Sequence, residues 1–295
     1  MVKLIHRFKE ISNQYKAIFC DLWGCLHDGQ NSFPESLDAL DRFRKQGGTV
    51  ILLTNAPRPK KNVINFLNHL GITKKHFDDI ITSGDATKSA LLSGSFGKNV
   101  FHIGPNKNLC LFDTSSTLST DTLEVDLVEL QKASCIVCTG LKNDLIEKPS
   151  DYGSILAEGI KANLPMLCAN PDIQVDYGEK RLWCAGALAA EYDKAGGKSV
   201  YFGKPYKPIY DLAIKNLQRF KPEIKASEIL CIGDGIHTDI WGGINNKLPT
   251  LFVCGGLSRK ETSLDGSALT PDIQKLKNFF SSEGVEPTAS IWHLQ

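Results

Sequence analysis

No apolar stretch in the 295-residue chain is long enough to span a bilayer; its hydrophobic runs are short and broken by charges. A strong charge of either sign is lacking too. The 34 Lys and Arg against 33 Asp and Glu leave +1, so no global field draws the chain to nucleic acid or an anionic membrane. Residues 1–10 carry neither a long apolar segment nor a small-residue cleavage site, so a signal peptide is not expected. Internal repeats and low-complexity tracts are absent. What remains is an ordinary globular composition, 42% hydrophobic and 23% charged, over a length that suits two domains.

The nine cysteines lie mostly in or beside strand-like runs. Cys20, Cys231 and Cys254 fit buried thiols acting as small hydrophobes. Cys135 and Cys138 have the spacing of a redox or zinc pair, but Cys135-Ile136-Val137-Cys138 reads as a strand. Residues three apart on a strand point to opposite faces, so the two thiols diverge. An odd number of cysteines and no expected signal segment favour a reducing cytoplasm.

Short apolar runs alternate with helical patterns, which predicts an α/β fold with a parallel sheet covered by helices. Strands are expected at 17–20, 50–53, 77–81, 133–139, 166–169, 200–202, 229–232 and 250–253, and another begins at 99. Helices are expected at 34–46, 59–70, 84–92, 152–162, 208–220 and 236–245. A polar, Ser- and Thr-rich stretch at 113–121 reads as a surface loop. Turn-rich joins at 92–97 and 195–197 suggest a core of residues 1–96 and 197–295, interrupted by an inserted α/β domain at 97–196.

Four chemically capable residues follow strand-like runs: Asp21, Thr54, Lys204 and Asp234. Ligands of open α/β sheets bind beyond the carboxyl ends of the strands, so these residues would share one crevice. Asp21 and Asp234, with the Trp23 carbonyl, make an all-oxygen donor set that suits Mg2+. Two close carboxylates without a cation would resist joint ionisation. Asp239 stands near the start of the following helix. An aspartate can attack phosphorus and form an aspartyl-phosphate that water cleaves. Lys204 supplies a mobile positive charge to the phosphate; Thr54, Asn55 and the N–H groups around Gly24 supply hydrogen bonds.

The motif order is Asp21-Leu22-Trp23-Gly24, then Leu52-Leu53-Thr54-Asn55, Gly203-Lys204-Pro205, and Gly233-Asp234 with Thr238-Asp239. This order resembles the haloacid dehalogenase superfamily. The segments Ile81-Thr82-Ser83-Gly84-Asp85-Ala86 and Ala169-Asn170-Pro171-Asp172 narrow the likeness to class IIA, which includes ribonucleotide monophosphatase-like, pyridoxal phosphatase and 4-nitrophenylphosphatase members. The resemblance implies a Rossmann-like core with a C2-type cap and a Mg2+-dependent hydrolase of small phosphate esters. Asp21 would be the nucleophile. Mg2+ would be held by Asp21, the Trp23 carbonyl and Asp234, with Asp239 in support. Thr54, Asn55 and Lys204 would hold the phosphate, and Asn170 and Asp172 would face the leaving group. Class IIA relatives are often dimers through the cap, so a homodimer is the matching expectation; the small net charge and short apolar runs give no nucleic-acid or membrane partner to expect.

One residue departs from that pattern. Most phosphatases of the superfamily carry a second Asp two residues after the nucleophile, where this chain has Trp23. A backbone ligand to Mg2+ survives the change, but a side-chain proton shuttle does not. General acid–base help is worth roughly 10²–10⁴-fold, so slow turnover is expected. His27 and Asp28, in the same loop, and less directly His237, are the candidates to replace it. Two rival readings stay open: a non-catalytic phospholigand-binding protein, and a haloacid dehalogenase, which also carries an aromatic residue at this position but dispenses with the metal.

Overall fold

A computed structural model of the chain describes residues 3–113, 125–177, 180–264 and 270–295. The surface loop expected at 113–121 lies, from residue 114 onward, outside the described residues. Strands β1 (Ala17–Cys20), β2 (Thr49–Thr54) and β3 (Asp79–Thr82) come first. Then follow β4 (Asn99–Ile103), β5 (Asp126–Leu127), β6 (Cys135–Cys138) and β7 (Pro165–Cys168). A hairpin of β8 (Gln174–Tyr177) and β9 (Lys180–Trp183) precedes β10 (Lys198–Tyr201). The chain ends with β11 (Ile229–Gly233), β12 (Thr250–Val253) and β13 (Ala289–Ile291).

These elements form two compact units. The first comprises Met1–Thr54, Ile64–Ile81 and Tyr210–Gln295, and holds a six-stranded sheet in the order β13-β12-β11-β1-β2-β3. Strand β1 is central, parallel to β11 on one side and β2 on the other. All residues of β1, β2 and β11 are buried, as expected of a parallel sheet covered on both faces. The helix Pro34–Lys45 starts on a proline already shaped for a first helical turn and buries Leu37, Leu40 and Phe43. Gly47, with φ +90, ends it and turns the chain into β2. Ile240, Phe252, Leu276, Phe280 and Trp292 pack into one apolar cluster of this unit.

The second unit comprises Asn55–Val63 and Thr82–Ile209, and holds a five-stranded sheet in the order β10-β7-β6-β4-β5. Its core gathers Ile136, Cys138, Met166, Cys168, Leu188 and Tyr192. Strand β10, which the sequence assigns to the return into the core, is instead an edge of this sheet. It pairs with β7 in parallel from Lys198↔Pro165 to Tyr201↔Cys168. The helix Ala185–Lys194 and the tight turn at Gly196-Gly197 complete a β–helix–β crossover, which returns the chain beside a parallel neighbour. The alternating exposure along Lys198–Tyr201 fits an edge strand. Among the described residues, no helix is long and apolar enough to cross a membrane.

All nine cysteines are free, and eight of them are buried; Cys110 alone is half-buried. Strand β6 alternates as expected: Cys138 joins Ile136 in the core cluster, whereas Cys135 does not. Burial pushes the Cys135 thiol up to about 11 and the Cys138 thiol up to about 12, so neither is a thiolate at neutral pH. A thiol reagent such as DTNB is therefore expected to titrate Cys110 alone in the native protein and all nine cysteines in guanidinium. Rapid native labelling at 135 or 138 would contradict this burial.

Candidate active site

The carboxyl edge of the six-stranded sheet is built by three neighbouring strands. Asp21 stands one residue beyond β1, Thr54 ends β2, and Asp234 follows β11. The ladder runs on past β1, since the Asp21 N–H donates to the Ile232 carbonyl at 2.8 Å. Asp239 arrives from a single π-helical turn, Ile236–Ile240, that opens directly after the β11 loop. One carboxylate oxygen from each of Asp21, Asp234 and Asp239 can be chosen so that all lie within 4.8 Å of one another. Asp234 and Asp239 are both buried, and Asp21 is half-buried.

Backbone donors orient each carboxylate. Asp21 Oδ1 accepts the Leu22 N–H at 2.7 Å. Asp234 Oδ2 accepts the Leu257 N–H at 2.9 Å. Asp239 Oδ2 accepts the Gly235 N–H and the Thr238 hydroxyl, each at 3.2 Å. Space for them is kept by missing side chains. A Cβ on Gly24, whose φ is +71, would stand 1.9 Å from Asp234 Oδ2; one on Gly256 would stand 2.1 Å from the same oxygen. Three like charges this close need a counter-charge, and an all-oxygen donor set fits a hard divalent cation. Sequence reasoning missed Gly256 and Leu257 as parts of this cradle, because nothing in their local wording marks them.

The loop after Asp21 resolves the proton-shuttle candidates. His27 is fully buried, its Nδ1 accepts the Gly29 N–H at 3.0 Å, and its ring stands edge-on to Trp23 and Phe66. Its Nε2 meets no hydrogen-bond partner among the described residues. Burial pushes the imidazole down from 6.5 to about 4, against a smaller upward pull from Asp28. A neutral, packed ring of this kind braces the loop and argues against a shuttle. Asp28 caps its own turn, accepting the Gln30 and Asn31 N–H groups at 2.8 and 2.7 Å. Burial raises its carboxyl, but those N–H groups outweigh it and leave the carboxyl below its ordinary value. His237 is largely exposed and pairs with Glu283 at 3.2 Å.

Lys204, Asn55, Asn170 and Asp172 belong to the second unit. Lys204 is buried and follows β10, the edge strand of the five-stranded sheet. Asn55 Oδ1 accepts the Lys204 N–H at 2.7 Å. Its Nδ2 donates to Asp172 Oδ1 at 2.8 Å and to the Lys204 carbonyl at 3.2 Å. The Asn170 side chain accepts the Asp172 N–H at 3.1 Å, shaping the loop that presents Asp172.

An α/β fold with a cluster of carboxylates beyond its central parallel strands has the crevice in which open-sheet α/β proteins bind their ligands. A family model for haloacid dehalogenase-like hydrolases matches residues 18–114, and a second, HAD-hydrolase-like, matches residues 201–276. The chain is 37% identical to a solved hydrolase of the haloacid dehalogenase-like family from Brucella suis 1330, covering 99% of this chain and 100% of that one with a TM-score of 0.85. The chain belongs to the haloacid dehalogenase-like hydrolase family. It is also 26% identical over 251 residues to an acid sugar phosphatase of Staphylococcus aureus, covering 84% of this chain and 90% of the relative. A glycerol phosphate phosphatase of Mycobacterium tuberculosis, solved with magnesium, is 22% identical with a TM-score of 0.64, over 84% of this chain and 70% of that one.

His27 generates a pH prediction. Its folded value of about 4 lies below its ordinary 6.5, so the unfolded chain binds the proton more readily. The stability it contributes is present above about pH 6.5 and is lost as pH falls toward 4, on the order of 3 kcal/mol in all. Urea midpoints measured across that window should fall less steeply for His27→Leu than for the wild type. Equal slopes would contradict the buried, neutral ring.

Proposed function

We propose that the protein is a Mg2+-dependent phosphate-monoester hydrolase for small phosphorylated metabolites. The observation that carries this reading is the meeting of Asp21, Asp234 and Asp239 within 4.8 Å. Asp21, the Trp23 carbonyl and Asp234 would hold the Mg2+, with Asp239 beside them. Bound there, the ion offsets the repulsion between carboxylates and phosphoryl oxygens. The relatives named sugar and glycerol phosphate phosphatases favour a polyol or sugar phosphate as substrate.

Asp21 attacks phosphorus through a carboxylate oxygen and displaces the ester oxygen, forming an aspartyl-phosphate. Thr54 and Lys204 hold the phosphoryl oxygens; the Gly24 N–H, expected from the sequence to donate to phosphate, instead donates to the His27 carbonyl at 2.9 Å and braces the loop after the nucleophile. Water then cleaves the acyl phosphate and regenerates Asp21. The inserted α/β unit acts as the cap and presents Asn170 and Asp172 to the leaving group; a pair of caps would form the dimer. Free thiols throughout suit a reducing cytoplasm.

Trp23 cannot give the departing oxygen a proton. Esters of acidic alcohols, whose oxygen leaves without one, should therefore be cleaved far better than alkyl esters. Trp23 is also the feature that favours the second reading, a protein that captures phosphate esters and does not turn them over. Dehalogenation is disfavoured, because a reaction that needs no metal gives no reason to keep three carboxylates together.

Two substitutions test the reading. Asp21→Asn should abolish release of phosphate from 4-nitrophenyl phosphate while leaving the circular dichroism unchanged; retained turnover would refute the assigned nucleophile. Trp23→Asp should raise kcat for an alkyl phosphate such as glycerol phosphate by about 10²-fold or more, the low end of general-acid help. No gain for alkyl esters would show that the missing carboxylate is not what limits the reaction.

A further inference from the structure

The motif resemblance gives Asn55 the role of a phosphate donor, yet its side chain is already committed. Its carboxamide is buried, with 3% of the residue exposed. Both Nδ2 hydrogens are spent, one on Asp172 Oδ1 at 2.8 Å and one on the Lys204 carbonyl at 3.2 Å. Its Oδ1 takes the Lys204 N–H at 2.7 Å. The amide orientation follows from these partners: turned over, its oxygen would face the Asp172 carboxylate and its nitrogen the Lys204 N–H. The fit is tight as well. A Cβ on Gly203 would stand 2.4 Å from Asn55 Oδ1 and 2.4 Å from Pro171 Cδ. Gly203 is therefore required for the amide to reach the Lys204 peptide.

We propose that Asn55 is a positioning residue that ties the Lys204 main chain to the Asp172 carboxylate, and that it does not donate to substrate. A two-point bond to the N–H and the carbonyl of one residue fixes its main chain as a strand neighbour would, so the flexible lysine stem starts from a set point. The second donor holds Asp172 on the same amide. Through it, the residue that anchors the phosphate and the residue that faces the leaving group are held as one piece. A wrong leaving group that displaces Asp172 thereby disturbs Lys204. This rests on the phosphatase reading for the roles of Lys204 and Asp172; the latch itself rests on the hydrogen bonds.

Asn55→Asp keeps an acceptor for the Lys204 N–H, removes both donors and sets a second carboxylate against Asp172. It should lower kcat/KM for 4-nitrophenyl phosphate by about 10- to 100-fold, within the range of coupling between bonded side chains. Adding Asp172→Asn restores a donor–acceptor pair with its direction reversed. The double variant should then come within about threefold of Asp172→Asn alone, whereas independent effects would simply multiply. Multiplying losses would overturn the proposal, as would a variant that loses thermal stability but keeps its kcat/KM. Amide hydrogen exchange at Lys204 reads the latch without any turnover. Faster exchange in Asn55→Ala than in the wild type supports it, and unchanged exchange sinks it. If the wild type hydrolyses no ester, the phosphatase reading fails while the exchange result still decides the latch.

Discussion

Crowding of negative charge at the end of the central strands is the constraint around which the first unit is arranged. Asp21, Asp234 and Asp239 can bring carboxylate oxygens within 4.8 Å, two of the three residues being buried. Such a cluster is unfavourable unless hydrogen-bond donors and a cation answer it. The parallel register of β1 with β11 brings Asp21 and Asp234 to the same edge. Main-chain N–H groups of Leu22, Leu257 and Gly235 each point at a carboxylate oxygen. Gly24 and Gly256 leave the room that Asp234 needs. None of these features has an evident purpose without the others.

The loop after Asp21 makes a different trade. Two residues after Asp21, Trp23 stands against the buried His27, which packs in turn on Phe66. Burial among these rings pushes the His27 imidazole down to about 4, which favours its neutral form. The same packing takes the histidine out of proton transfer. A loop ordered in this way holds the Trp23 carbonyl firmly but offers no acid to a leaving group.

Much of the framework was legible in the sequence. Parallel strands buried on both faces must be apolar along their length, so Ala17-Ile18-Phe19-Cys20 and Ile229-Leu230-Cys231-Ile232 announce themselves, and the polar residue after each marks the edge. The hairpin of β8 and β9 escaped notice because half-exposed strands with mixed residues lack that signature. The terminal β13 is only three residues long and leaves no periodic trace. The expected strand at 200–202 overlaps β10, but that strand pairs with β7 in the five-stranded sheet rather than returning to the core. Local apolarity reports that a strand is buried and is silent about its neighbours.

The sequence by itself determined the chemistry available: which carboxylates, which lysine, which asparagine and which loop histidine. Those are properties of residue type and of position relative to strand ends. Tertiary structure decided how three of them are used. His27 became a brace because burial among aromatic rings disfavours its charged form. Lys204 follows the five-stranded sheet because the strand before it, β10, found β7 as a partner. Asn55 became a latch because residues more than a hundred positions away closed on both ends of its amide. Hydrogen-bond partners and dielectric surroundings are supplied by distant segments, and no local pattern encodes them.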